Sequence, residues 1–168
     1  MSMLGKCIIV AGKTGSGKSF WIRENLLSPW LASGGSAFVY DINNEHGFPE
    51  PPLPEDFVLQ VEGAKKSLIF FEEATIFFSH KQGDSRELRN LLVRKRHREN
   101  IIVFVFHSIR KIPAYVLDFC DIFVLKKTND TPSFVEKKLR GYDNLLLAYE
   151  VVRNSGDKYC TKIVNMLN

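Results

Sequence analysis

Apolar residues arrive in short solid runs along this chain, separated by polar segments of varying length. The runs cover 6–11, 36–41, 57–61, 67–72, 101–106 and 121–126, with a weaker one over 159–164. A strand with one wet face would alternate. Unbroken runs such as Ile101-Ile102-Val103-Phe104-Val105-Phe106 are the pattern of strands covered on both faces. Helical spacing fills 17–27, roughly 84–97, and pieces of 133–153. Strands alternating with helices predict an α/β chain, a three-layer sandwich built on a mainly parallel sheet. The stretch 43–56 departs from the pattern. It holds Pro49, Pro51, Pro52 and Pro54 among few apolar residues and predicts a surface loop, by default a plain connector, the alternative being a segment that closes over the nucleotide or touches a partner.

Composition narrows the class. At 168 residues the chain has room for one domain with its own core, so 1–168 is read as a single unit. Hydrophobic residues make up 45% and charged residues 25%, the balance of a water-soluble globular chain. The longest apolar strand run, 101–106, is too short to cross a bilayer, and the N-terminus shows no signal-peptide pattern. Cys7, Cys120 and Cys160 are widely spaced among apolar residues. They predict free thiols in a reducing, cytoplasmic setting. Net charge is +4, but residues 81–98 hold Lys81, Arg86, Arg89, Arg94, Lys95, Arg96 and Arg98 against Asp84 and Glu87. That concentration suits either a solvated helix face or a polyanionic partner.

Residues 12–19, Gly-Lys-Thr-Gly-Ser-Gly-Lys-Ser, fit the pattern G-x-x-x-x-G-K-[ST] in full. A strand precedes them and a helix follows, the context the motif requires. Gly12, Gly15 and Gly17 free the backbone to turn its N–H groups toward a polyphosphate. Lys13, Thr14 and Ser16 complete the loop, and Phe20 opens the helix whose positive end faces the same ligand. Lys18 brings a charge to the outer phosphates, and the Ser19 hydroxyl offers a ligand for Mg²⁺. The expected ligands are therefore a nucleoside triphosphate and Mg²⁺.

Ser67-Leu68-Ile69-Phe70-Phe71 runs into Glu72-Glu73. An acid at the tip of a strand near a phosphate loop holds the metal's water shell, and a second acid can polarise the attacking water. Glu72 is assigned to the metal and Glu73 to general base. Strand 101–106 ends in His107-Ser108, and parallel sheets place ligand chemistry at such carboxyl ends. His107 is thus the candidate sensor of the terminal phosphate.

In order along the chain, Gly12–Ser19, Phe38-Val39-Tyr40-Asp41 with Glu45, Glu72-Glu73, Arg96-His97, His107-Ser108 with Ile112-Pro113, and Asp121 to Lys126 resemble the FtsK–HerA superfamily of DNA-pumping ATPases. The likeness is strongest to its compact viral members, the genome-packaging ATPases, and extends to the zonula-occludens-toxin-like ATPases of filamentous phage. It covers about residues 5–130. It implies a P-loop NTPase fold of the RecA-like (ASCE) type, ATP as the nucleotide, and an ATPase that moves DNA. It also implies a homo-oligomeric ring, pentameric or hexameric, in the host cytoplasm or on the virion, docked on capsid-vertex or membrane proteins. Carried over, it makes Arg96 the leading arginine finger offered to a neighbouring subunit, with Arg94 and Arg98 as rivals. Lys81, Arg86 or Arg89 would face the DNA backbone. Two residues depart from the family pattern: Glu72 stands where Asp is usual, and His107 where Gln is usual, making that contact dependent on protonation.

Two other classes share the loop. A small-molecule or nucleotide kinase needs an acceptor site and usually an arginine-bearing lid, and the paired glutamates favour water as nucleophile instead. A GTP switch needs Asn-Lys-x-Asp after a late strand, where this chain reads Lys126-Lys127-Thr128-Asn129-Asp130. An assembly or export ATPase of the filamentous-phage type uses the same parts as the packaging motor. The last thirty or so residues carry no functional signal and are expected to complete the sheet.

Overall fold

The computed structural model describes residues 3–79 and 85–166. Its centre is a six-stranded sheet in the order β2-β3-β4-β1-β5-β6. The strands are β1 (Cys7–Ala11), β2 (Ser36–Tyr40), β3 (Ser67–Phe71), β4 (Ile101–Phe106), β5 (Ile122–Lys126) and β6 (Thr161–Asn165). The first five pair in parallel, and β6 runs antiparallel along β5. The three-layer α/β architecture expected from the sequence is therefore present. The expected completion of the sheet by the C-terminal residues is β6.

Alternate residues of each strand feed opposite faces, as the pleat requires. Ile8, Val10, Leu68, Phe70, Val103, Val105 and Val124 pack with Ile22, Leu26 and Leu27 on one side. That side is covered by α1 (Lys18–Ile22), a π-helical turn (Arg23–Leu27) and α2 (Ser28–Ala32), all in right-handed helical backbone where they join. Pro29 lacks the N–H of a regular turn, and the widened turn before it accommodates that loss. Ile9, Ile69, Phe71, Ile102, Phe104, Phe106, Phe123 and Leu125 pack on the other side. Six helices cover them: α3 (Pro54–Glu62), α4 (Ala74–Ser79), α5 (Arg86–Arg94), α6 (Ala114–Asp118), α7 (Pro132–Lys138) and α8 (Asp143–Asn154). Phe71 stacks on Phe104 at 4.7 Å between centroids, and Phe77 meets Phe71 edge-on at 4.8 Å. The abundant phenylalanines thus sit mostly beneath the helices of one face.

One expected strand is wrong. Residues 57–61 lie inside α3, which starts at Pro54 with Glu55 and Asp56 in its first turn. Proline at the helix start and acids beside the positive end both favour a helix. Phe57, Val58 and Val61 are its buried residues, a helical spacing hidden in a short apolar run. The expected helix 84–97 is shorter, with the Ser85 hydroxyl capping it by accepting the Leu88 amide at 3.2 Å. Lys81 and Asp84 lie outside the described residues. Cys7, Cys120 and Cys160 are free thiols, as expected, and burial pushes the Cys7 pKa up to about 12.

Candidate nucleotide-binding and hydrolytic site

The tips of β1, β3 and β4 lie side by side, with β4 between the other two. The loop after β1 is anchored on both flanks. The Gly12 amide donates to Phe106 O at 3.0 Å, and the Lys13 amide to Lys127 O at 2.6 Å. A side chain at Gly12 would collide with Ser16 Oγ at 2.6 Å and Lys126 Cβ at 2.8 Å. Gly15 and Gly17 adopt φ of 75° and 81°, the left-handed region that glycine enters without strain. Gly17 then caps the helix that begins at Lys18. Thr14 is exposed at the crown and Phe20 is 70% exposed on the first helical turn.

Lys18 is buried and its ammonium donates to Lys13 O at 3.2 Å. Burial draws its pKa below the ordinary lysine value, while Glu72, Glu73 and Glu45 pull the other way. Its nitrogen also lies 3.3 Å from His107 Nδ1. An ammonium only donates, so Nδ1 accepts and the ring proton sits on Nε2. That Nε2 is 3.2 Å from Glu73 Oε1, which Asn43 Nδ2 also reaches at 3.1 Å. Lys18, His107 and Glu73 therefore form one connected line across the strand tips.

Glu72 turns to the other side. Its Oε1 lies 2.9 Å from Ser19 Oγ, and Glu45 Oε2 lies 2.5 Å from the same hydroxyl. One hydroxyl has one proton, so it satisfies one of the two carboxylates. A hard divalent cation among these oxygens would satisfy both, and Mg²⁺ prefers such ligands. Ser19, Glu72 and Glu45 thus fit the metal. Glu72 Oε2 faces His46 Nε2 at 3.2 Å, and that imidazole is fully buried, edge-on to Phe70 at 5.2 Å.

The stretch 43–56 is therefore more than a passive connector: its first residues reach Ser19, Glu72 and Glu73, which favours the alternative of a segment at the nucleotide. Asp41, buried at the tip of β2, accepts the His46 amide at 2.9 Å and folds the chain back. Asn44 takes φ of 53° within the same turn. This delivers Asn43, Glu45 and His46 to the site. Of these, only Glu45 belongs to a motif noted in the sequence. Polar side chains directly after a strand's carboxyl end were the signal for the other two.

Arg96 is placed elsewhere. It lies at the opposite end of the sheet, its Nη2 3.5 Å from Asp121 Oδ1, and Asp121 bonds the first residue of β1. Lys95 is also withdrawn from any external partner, buried with its ammonium 2.6 Å from Asp121 Oδ2.

No protein-family model matches the sequence, and no curated protein matches it. Solved structures do. The genome-packaging NTPase B204 of Sulfolobus turreted icosahedral virus 2, in complex with AMPPCP, superposes with a TM-score of 0.78 at 16% identity. The match covers 99% of this chain and 94% of that one. B204 described as the DNA-packaging ATPase of Sulfolobus turreted icosahedral virus gives 0.78 at 14% identity, over the same shares. The ATP-gammaS complex of the former gives 0.76. The chain thus has the fold of these P-loop NTPases from end to end.

Proposed function

We propose that this chain is an ATP-hydrolysing DNA translocase, a motor of the viral genome-packaging type that acts as a ring of identical subunits. The observation that carries the reading is the split of the acidic pair. Glu72 faces the Ser19 hydroxyl, and Glu73 faces His107 and, through it, Lys18. One carboxylate at the Ser19 hydroxyl and the other at His107 supports separate metal-holding and proton-accepting roles, as hydrolysis of a terminal phosphate needs. The shared fold with B204, a packaging NTPase, supports the biological setting.

Each residue then has a task. The loop amides and Lys18 bind and orient the phosphates. Ser19, Glu72 and Glu45 would hold Mg²⁺, which when bound neutralises charge on the outer phosphates. Glu73 orients water and takes its proton. His107 fixes the Glu73 carboxylate and touches Lys18, so it reports phosphate occupancy to the base. Arg96, 65% exposed at the far end of the sheet, is left the role of a finger acting on a neighbouring subunit. Arg86, Arg89 and Arg94 are exposed along α5, whose Leu88, Leu91 and Leu92 face the core. They are the proposed contacts to DNA phosphates, sequence-independent and salt-sensitive. Among the described residues no helix is long and apolar enough to cross a membrane.

ATP turnover with and without DNA, together with mass in solution, tests the reading. DNA should raise turnover at low salt, less at high salt, in a particle of several subunits. A monomer whose turnover ignores DNA and rises with a phosphate acceptor would make it a kinase.

A further inference from the structure

The turn between α8 and β6 is fastened beside the phosphate loop. Lys127 Nζ donates to Ser155 O at 2.5 Å, and Lys126 Nζ donates to Thr161 Oγ1 at 2.7 Å and Tyr159 O at 3.4 Å. Lys127 also accepts the Lys13 amide, so loop and turn share one anchor at the end of β5. The turn is closed internally as well. Asp157 Oδ1 accepts the Tyr159 amide at 2.8 Å, and Ser155 Oγ accepts the Asp157 amide at 3.1 Å.

These bonds set the Tyr159 ring against the cradle. A Cβ added to Gly17 would lie 3.2 Å from its Cδ1. The Lys158 ammonium stands 5.4 Å from the ring centroid, and 4.0 Å from where a Gly15 Cβ would be. Yet Tyr159 is 58% exposed, so its ring is held in place and is still reached by solvent.

The two flanks of the loop are unequal. Glu72, Glu73 and His107 occupy the β3–β4 side, which fixes the terminal phosphate there. The nucleoside end of the same ligand must then leave across β1 toward β5 and β6. Tyr159 is on that side. Resting on the triphosphate reading above, we infer that Tyr159 is the platform on which the nucleobase stacks. Stacking engages the flat face of a base and not its hydrogen-bonding edge, so the platform accepts purine triphosphates of either kind.

Calorimetric titration of the full chain with Mg·ATP, Mg·GTP and inorganic triphosphate tests this. Tyr159→Ala should weaken both nucleotides roughly 10- to 100-fold, leave inorganic triphosphate unchanged, and be rescued by Tyr159→Phe. The inorganic ligand also reports that the variant's cradle is intact. Nucleotide binding by Tyr159→Ala equal to wild type overturns the inference. Equal loss of nucleotide and inorganic triphosphate overturns it too, since the ring would then only support the loop. Failure of the underlying reading looks different: Lys18→Ala would bind all three ligands like wild type.

Discussion

Replacing Glu73 with glutamine isolates the proposed base. The amide has nearly the carboxylate's shape, and its oxygen can still accept from His107 Nε2 and Asn43 Nδ2, now 3.2 and 3.1 Å from Glu73. What changes is charge and proton affinity. Hydrogen bonds to a charged group contribute about 1.5–3 kcal/mol and to a neutral one about 0.5–1.5, so each bond weakens by about 1 kcal/mol. A fold with this core tolerates that. Losing a general base removes a factor of about 10²–10⁴ in rate, or roughly 3–5 kcal/mol of barrier. The effect on chemistry therefore exceeds the effect on structure. Steady-state turnover at saturating Mg·ATP, paired with a binding constant for a fluorescent ATP analogue, reads both. The expected result is kcat down by about 10²–10⁴ with affinity within a few-fold of wild type, because Ser19, Glu72 and Lys18 are untouched. Turnover within tenfold of wild type at unchanged affinity would refute Glu73 as base.

Other outcomes follow from the same contacts. Glu45→Gln removes the carboxylate nearest Ser19 Oγ and should raise the Mg²⁺ needed for half-maximal ATP binding by about 10- to 100-fold; an unchanged requirement argues against Glu45 as part of the metal site. Lys95→Ala removes the buried cation from Asp121, leaving it the Cys7 amide and the long Arg96 contact, and should cost about 3 kcal/mol in urea unfolding, whereas a loss under about 1 kcal/mol would mean the pair is dispensable. Burial raises the Asp121 pKa, but the Lys95 hydrogen bond and the Cys7 amide outweigh it and hold the pKa below 3.8. The stability this carboxylate contributes is complete above pH 3.8 and is lost as pH falls through the lower folded value. Unfolding measured between pH 2 and 5 (a window of about this width around that pKa) should show a steeper acid loss in wild type than in Asp121→Asn, and equal slopes would refute the assignment.

How far the sequence could be read depended on whether a residue's role was local. The loop 12–19 was legible because its glycines, lysine and serine act through backbone next to them. The acidic pair was legible because it ends a solid apolar strand, which aims its next residues at the carboxyl edge of the sheet. The segment 57–61 was misread because Phe57, Val58 and Val61 form too short an apolar run to show helical or strand period. His46 was missed for a different reason. Its use depends on a turn held by Asp41 and on burial against Phe70, neither visible as a pattern around residue 46. Lys95 looked like part of a basic surface because charge counts do not reveal Asp121 beneath it.

Glu72 and His107, the two residues that differ from the pattern of the family this chain resembles, make sense together. An aspartate at position 72 would be one methylene shorter than the side chain that now spans from Ser19 Oγ to His46 Nε2. The longer glutamate lets one Glu72 oxygen face His46, on the loop after β2, while the other faces Ser19 Oγ. At position 107 a glutamine would also offer one acceptor and one donor group, but imidazole holds its two nitrogens on opposite sides of a rigid ring. That rigidity is what lets a single residue span from the Lys18 ammonium to the Glu73 carboxylate. Lys18 has three donors, and Lys13 O and His107 Nδ1 engage two of them. The third is free for a phosphate oxygen without either bond breaking. On the proposed function, a phosphate that draws the ammonium toward itself would tilt His107 and shift Glu73 with it. Lys18, His107 and Glu73 would then link binding to proton acceptance through three side chains alone.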